Sequence, residues 1–191
     1  MESLDAILTR YGYPKEKIRE RVYQHSSEES ELYVRRSAER FQQENFTNIG
    51  VGALIFHPSG DGRMLFVKEK RLIQGKEVEQ WAAPGGGAVD EDDRVEDALQ
   101  REIQEETGIE IEIGKLHLVD RVLGKDPVGH SLYDFYFLTF AASALTEDIC
   151  PKDSKTIEAA WMKSLPEALL LREDYELILK RIDSHQSKSP K

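Results

Sequence analysis

The chain has 191 residues, 39% of them hydrophobic, and 26 Lys and Arg against 36 Asp and Glu leave a formal charge of −10. That length buries one substantial core, so a single domain with an added terminal element is expected, and the acidic balance excludes a protein that coats nucleic acid through a basic surface. A lone cysteine, Cys150, excludes an intrachain disulfide framework or a Cys-built zinc cluster, and no window approaches the roughly 20 apolar residues of a membrane span, so a soluble, cytoplasmic protein is expected.

Residues 1–46 read as a helical extension. Leu4, Ile7, Leu8 and Tyr11 share one helical face, Pro14 suits the first turn of a second helix carrying Ile18 and Val22, and a third run carries Leu32, Ala38 and Phe41. Acidic and basic side chains nearly balance there, which suits a charged helical layer used for packing or self-association.

From Thr47 the pattern changes to strands. Ile49, Val51, Ala53, Leu54 and Ile55 lead through the turn Pro58-Ser59-Gly60-Asp61-Gly62 to Met64, Leu65, Phe66 and Val67, a hairpin signal. A short strand through Gln80 to Ala83 is broken by Pro84-Gly85-Gly86-Gly87, and a helix from about Asp93 stops at Gly108, a residue suited to the left-handed closing position. Ile109 to Val122 and Ser131 to Phe140 read as two further strands, and Ala159, Ala160, Trp161 and Met162 as a short one. Ser164 and Glu167 have capping-box spacing ahead of the stripe Leu171, Tyr175, Ile178 and Ile182, and the residues after Ser184 read as a flexible tail. The order predicts an α+β fold, a mixed β-sheet sandwiched between helices, with a main domain over 47–184 and a tail over 185–191.

The chemistry concentrates on the helix from Asp93. At about 100° per residue Val95, Ala98, Leu99 and Ile103 form one broad face. Glu102 and Glu106 fall inside that apolar sector and Glu105 at its edge, while Asp93, Glu96, Asp97, Gln100 and Gln104 mark the solvated side. Three ionised carboxylates turned toward a core are costly through desolvation and mutual repulsion unless cations offset both, and a divalent metal does so economically.

Gly87, five residues, Asp93, seven residues, then Arg101-Glu102-Ile103-Gln104-Glu105-Glu106-Thr107-Gly108-Ile109 resembles the Nudix box, Gly-x5-Glu-x7-Arg-Glu-U-x-Glu-Glu-x-Gly-U with U aliphatic. The resemblance extends over about Thr47 to Ile182 and leaves the N-terminal helices outside. Asp93 stands where the box usually has Glu, and the segment after Pro84 is one residue longer than the common spacing, so Gly86 and Gly87 compete for the box glycine.

The resemblance implies a hydrolase, a pyrophosphohydrolase that cleaves a diphosphate linkage in a nucleotide or nucleoside-diphosphate derivative with Mg²⁺ or Mn²⁺. Glu105 and Glu106 match the family's principal metal ligands, Glu102 a position that binds metal or deprotonates the water, and the carbonyl of Gly86, or of Gly85 if the register slips, a further ligand. Arg101 is expected to hold Glu105 or Asp97 across one helical turn, and Asp93 to reach Arg101. An added acid or base is sought among Glu158 and Glu147, with Asp148 and Asp153 also available. Lys68, Lys70 and Arg71 at the end of the second strand suit substrate phosphates, and Tyr133 suits a base or ribose. Partners are then a small-molecule substrate, no membrane and no general nucleic acid; family members often dimerise, and the N-terminal helices offer a surface for a homodimer. The alternative is a catalytically silent ligand-sensing or protein-binding module of the same fold. Three clustered carboxylates have no evident use in such a module.

Overall fold

The computed structural model describes residues 2–31, 46–73, 76–89 and 92–186. Among these residues eight strands form one mixed sheet: β1 (Arg19–Gln24), β2 (Phe46–Phe56), β3 (Met64–Ile73), β4 (Lys76–Ala82), β5 (Gly85–Val89), β6 (Ile111–Lys125), β7 (Ser131–Ala144) and β8 (Thr156–Met162). The path is β1-β6-β7-β2-β3-β4, with β5 added to β2 and β8 to β3. β2 runs parallel to β7 but antiparallel to β3 and β5, and β1 runs parallel to β6. Direct pairing of β2 with β3 is confined to Ile55↔Leu65 and Phe56↔Met64. Beyond it the two strands part, and the chain from β4 into β5 pairs with β3 on one side and β2 on the other.

Side-chain alternation gives this sheet two apolar faces. Ile49, Val51, Ala53, Ile55, Leu65, Leu138 and Phe140 pack under helix α1 (Leu4–Arg10) and helix α2 (Val95–Thr107). Leu54, Met64, Phe66 and Leu118 pack under helix α3 (Arg172–Gln186), through Tyr175 and Ile178. The fold is therefore the α+β sandwich the element order predicts, and no helix among the described residues is long and apolar enough to cross a membrane.

Three local readings change. Pro14 precedes a 3₁₀ turn (Lys15–Lys17), and Ile18 and Val22 lead into and lie on β1, not on a second helix. That strand is fastened from both ends of its side chains: Arg19 and Arg21 bond the buried Asp120 of β6 and Asp174 of α3 at 2.5–3.2 Å. The glycine run expected to break the sheet instead forms β5, with Gly85, Gly86 and Gly87 opposite Gly52, Val51 and Gly50. The last helix starts only at Arg172, because Trp81 of β4 draws the preceding segment into backbone bonds with Ala168 and Leu170 and Leu171 then turns at a φ of 55°. The expected third N-terminal helical run, Leu32 to Phe41, lies outside the described residues, as do residues 187–191 of the tail.

α1 is held to α2 through Arg10 and Tyr11. Arg10 bonds Glu96 at 2.8 Å, the Tyr11 hydroxyl donates to the same carboxylate, and the Tyr11 ring meets Phe140 edge-on at 5.2 Å. The helix thus closes the α2 face of the core with Ile7 and Leu8, both buried.

Candidate active site

α2 is flanked by Arg94, whose N–H donates to Asp97, and by Gly108 in the left-handed region at φ 74°. Its apolar stripe of Val95, Ala98, Leu99 and Ile103 is fully buried, which fixes the rotation of the helix and so the aim of its acids. Glu106 is 4% exposed and accepts a 2.9 Å hydrogen bond from the Gly85 N–H. The Glu102 side chain is 16% exposed and lies on β5 so closely that a Cβ on Gly86 would fall 2.3 Å from its carboxyl carbon. Glu105, at 51%, projects at the rim.

Burial pushes the Glu106 carboxyl up to about 9; the Gly85 N–H opposes the shift, and Glu69 and Glu102 add to it. Burial likewise raises Glu102, against the pull of Arg101 and Lys155. Lys155 belongs to a loop seated on the end of α2, where the N–H groups of Lys152 and Asp153 bond the Glu105 carbonyl at 2.7 and 2.9 Å and that of Cys150 bonds the Thr107 carbonyl at 2.8 Å.

Arg101 ties the helix to the glycine strand. It donates to Glu102 at 2.8 Å, to the Gly87 carbonyl at 3.0 Å and to Asp92 at 3.0 Å, and reaches Glu105 at 3.7 Å. The acidic partner is thus Asp92, 7% exposed, whereas Asp93 faces solvent and Asp97 is used by the start of the helix.

A further acid joins from β3. Glu69 lies within hydrogen-bonding reach of Glu106 and accepts from Arg71 at 2.9 Å. Nothing in the sequence marks it, because Lys68, Glu69, Lys70 and Arg71 are all charged and show no apolar alternation.

The structure thus gathers Arg101, Glu102, Glu105, Glu106 and Gly86 with Arg71 close by, and sets the other candidates apart. Alternation from Leu65 and Phe66 turns Lys68 and Lys70 to the α3 face, where Lys68 bonds Glu79 at 3.1 Å and lies over the Trp81 ring. Glu158, opposite Lys68 in register, faces the same way. Tyr133 shares the α3 side with Phe137, and its hydroxyl meets His25 at 2.8 Å. Glu147 is taken up with His57 at 3.4 Å, while its carbonyl accepts from the Trp161 indole.

Hard oxygen donors on a rigid helix beside a glycine strand suit a small divalent cation, which would offset the burial that raises the Glu106 carboxyl. With Glu102 turned to Arg101, no three His, Cys, Asp or Glu side chains among the described residues converge as a ready-made metal cage.

A family model described as NUDIX domain matches residues 47–181. Among solved structures, the fold is similar to a NUDIX hydrolase from Nitrosomonas europaea, with 18% identity, a TM-score of 0.54 and coverage of 74% of this chain and 73% of that one. It is also similar to an ADP-ribose pyrophosphatase from Streptococcus suis, with 21% identity, a TM-score of 0.51 and coverage of 75% and 93%. No curated protein sequence matches significantly.

Proposed function

The chain belongs to the Nudix family, and from that membership we propose that it hydrolyses a diphosphate linkage in a nucleotide or nucleoside-diphosphate derivative. Mg²⁺ or Mn²⁺ would be held by Glu102, Glu105 and Glu106 of α2, with the Gly86 or Gly85 carbonyl as a backbone donor. The observation that carries this reading is Glu106: a carboxyl 4% exposed, beside Glu69 and Glu102, to which no Lys or Arg among the described residues is bonded. A bound divalent cation supplies charge neutralisation at the phosphates and acidifies a coordinated water.

The remaining roles follow from this chain's own groups. Arg101 positions Glu102 by fastening it to the glycine strand, and Glu102, raised by burial, suits the removal of a proton from the attacking water. Arg71, the one of the three strand-end cations on the α2 face, is the candidate for a substrate phosphate. Diphosphate oxygens repel hydroxide, so a cation beside the carboxylates serves both binding and reaction.

The test is product formation from nucleoside triphosphates, nucleotide sugars, dinucleoside polyphosphates and ADP-ribose, each with Mg²⁺ or Mn²⁺. ADP-ribose is included because the Streptococcus suis neighbour bears that name. Cleavage of at least one substrate is expected, with Glu106→Gln lowering turnover by orders of magnitude at an unchanged circular dichroism spectrum. No product from any substrate would favour the ligand-sensing module.

A further inference from the structure

The acids of the site stand at the unfavourable end of their helix. Glu102, Glu105 and Glu106 lie in the C-terminal half of α2, and its last turn holds no Lys or Arg. The helix dipole turns its negative end to the same place, and the last carbonyls of a helix lack partners within it, so a turn carrying these acids frays unless donors come from outside.

The chain next to α2 supplies little. The Gly108 N–H returns to the Gln104 carbonyl and the Thr107 hydroxyl donates to that of Ile103. The remaining donors come from the segment between β7 and β8: the Cys150 N–H meets the Thr107 carbonyl at 2.8 Å, and those of Lys152 and Asp153 meet the Glu105 carbonyl at 2.7 and 2.9 Å. The approach is close enough that a Cβ on Gly108 would fall 2.6 Å from the Cys150 carbonyl oxygen.

Residues 145–155 contain no helix or strand, so their N–H groups stay aimed at α2 only if the segment is fastened elsewhere. It is fastened ahead of the cap. The Leu145 N–H bonds the Glu110 carbonyl at 2.7 Å, and the Thr146 hydroxyl accepts from the Glu110 N–H at 3.1 Å. Glu147 is held twice, by the Trp161 indole donating to its carbonyl at 3.0 Å and by His57 Nε2 facing its carboxylate at 3.4 Å. His57 is buried, meets Trp161 edge-on at 4.7 Å, and accepts at Nδ1 from the Ser59 N–H at 3.1 Å. An accepting Nδ1 leaves the proton of the neutral ring on Nε2, toward Glu147. Beyond the cap, the Lys155 N–H bonds the Asp153 carboxylate at 2.9 Å and Thr156 opens β8 opposite Glu69.

Building on the reading of the α2 carboxylates as metal ligands, we propose that residues 145–155 cap the C-terminal turn of α2, and that Trp161 is a positioning residue for Glu105 and Glu106. It touches neither acid among the bonds described above. It acts through Glu147, which sets the course of the segment whose N–H groups hold the acid-bearing turn.

The test is Trp161→Phe in the full chain, read by amide hydrogen exchange without metal, with Mn²⁺ affinity measured separately from the magnetic resonance signal of the free ion. Phe keeps a ring against His57 and removes the indole donor. The Cys150, Lys152 and Asp153 amides are expected to exchange at least about tenfold faster than in the wild type, and the Gly85 amide, which donates to Glu106, is expected to accelerate with them. Leu138 and Phe140, paired on both sides within β7, are expected to keep their rates. Mn²⁺ is expected to bind at least about tenfold more weakly, about 1.4 kcal/mol. Lys152→Pro deletes one capping N–H at an exposed position and serves as the second variant should Trp161→Phe not fold. It is expected to speed exchange at Asp153 and Gly85, whereas Lys152→Ala, which keeps the N–H, leaves both rates as in the wild type. Loop amides that keep their rates overturn the proposal, as does an unchanged Gly85 rate or Mn²⁺ affinity in a variant whose loop has loosened. Equal acceleration of Leu138 and Phe140 overturns it too, since Trp161 would then be part of the general packing. Exchange is read without metal, so a wild type that binds no Mn²⁺ refutes the metal reading and leaves the capping role to be decided by the exchange rates.

Discussion

Glu106→Gln in the metal-free protein separates the cost of the buried acid from its use. The folded carboxyl titrates near 9 and the unfolded one near the ordinary 4.5, so between these values the folded chain keeps a proton that the unfolded chain has released. Wild-type stability therefore falls as pH rises through that window and is unaffected by this group below it. Gln resembles the protonated acid, can still accept from the Gly85 N–H, and ionises in neither state. At pH 7 the interval above 4.5 spans 2.5 pH units, which at about 1.4 kcal/mol each comes to about 3.5 kcal/mol in favour of the variant. Urea unfolding in EDTA at pH 7 and at pH 4.5 measures this, since the paired comparison cancels the titration of groups that do not interact with Glu106. The variant is expected to be more stable at pH 7 and indistinguishable at pH 4.5. Mn²⁺ at about 100 times its Kd is then expected to restore about 2.7 kcal/mol to the wild type and much less to the variant. Equal urea midpoints at pH 7 in EDTA would refute the reasoning, because Glu106 would then be ionised and already compensated in the folded chain.

Other substitutions test the framework around it. Asp92→Asn is expected to cost about 1–3 kcal/mol by leaving Arg101 without its buried carboxylate, and Asp93→Asn less than about 0.5, both by thermal unfolding; a larger effect at Asp93 would return the Arg101 partnership to the box position. Gly86→Ala forces a methyl group onto the Glu102 carboxyl and is expected to reduce kcat by at least about tenfold, about 1.4 kcal/mol in barrier, with little change in melting temperature. Unchanged kcat would detach Glu102 from the reaction. Asp120→Asn removes a 4%-exposed carboxylate shared by Arg19 and Arg21 and is expected to destabilise by about 3 kcal/mol or more in urea unfolding, a cost absent if β1 is held by its backbone pairing alone.

Legibility in the sequence follows from which physical pattern each segment obeys. α2 was readable because its apolar residues recur at the helical period and its acids interrupt that stripe, so burial of Glu106 and exposure of Glu105 follow from one rotation angle. β1 was not: Ile18 and Val22 have helical spacing, and only pairing with a distant edge, β6, makes the segment from Arg19 a strand. β5 was hidden because glycine shows no alternation. Its small residues are needed where Glu102 presses on Gly86, while across the sheet Phe137 presses on Gly50 and Gly52. The early end of the loop before α3 was overridden in the same way, by Trp81 bonding Ala168 and Leu170 against a capping-box signal.

The site shows the same division between what one helix dictates and what pairing between strands dictates. Arg101, Glu102, Glu105 and Glu106 share an element, so their relation is set by 3.6 residues per turn. Glu69, Gln80 and Thr156 come from three strands, and their meeting depends on a bulge at Ile157 that no single-strand pattern announces. The two sets meet where β2 and β3 part and the glycine strand enters between them. The helix face there carries Glu106, whose carboxyl is raised by burial, and the sheet face carries Gln80 and Thr156, each with a buried oxygen that has no hydrogen-bond partner among the described residues. Among the described residues Arg101 answers Glu102 and reaches Glu105, whereas Glu106 keeps the Gly85 N–H and has Glu69 and Glu102 as neighbours, so a divalent cation bound there would offset the burial of Glu106 above all.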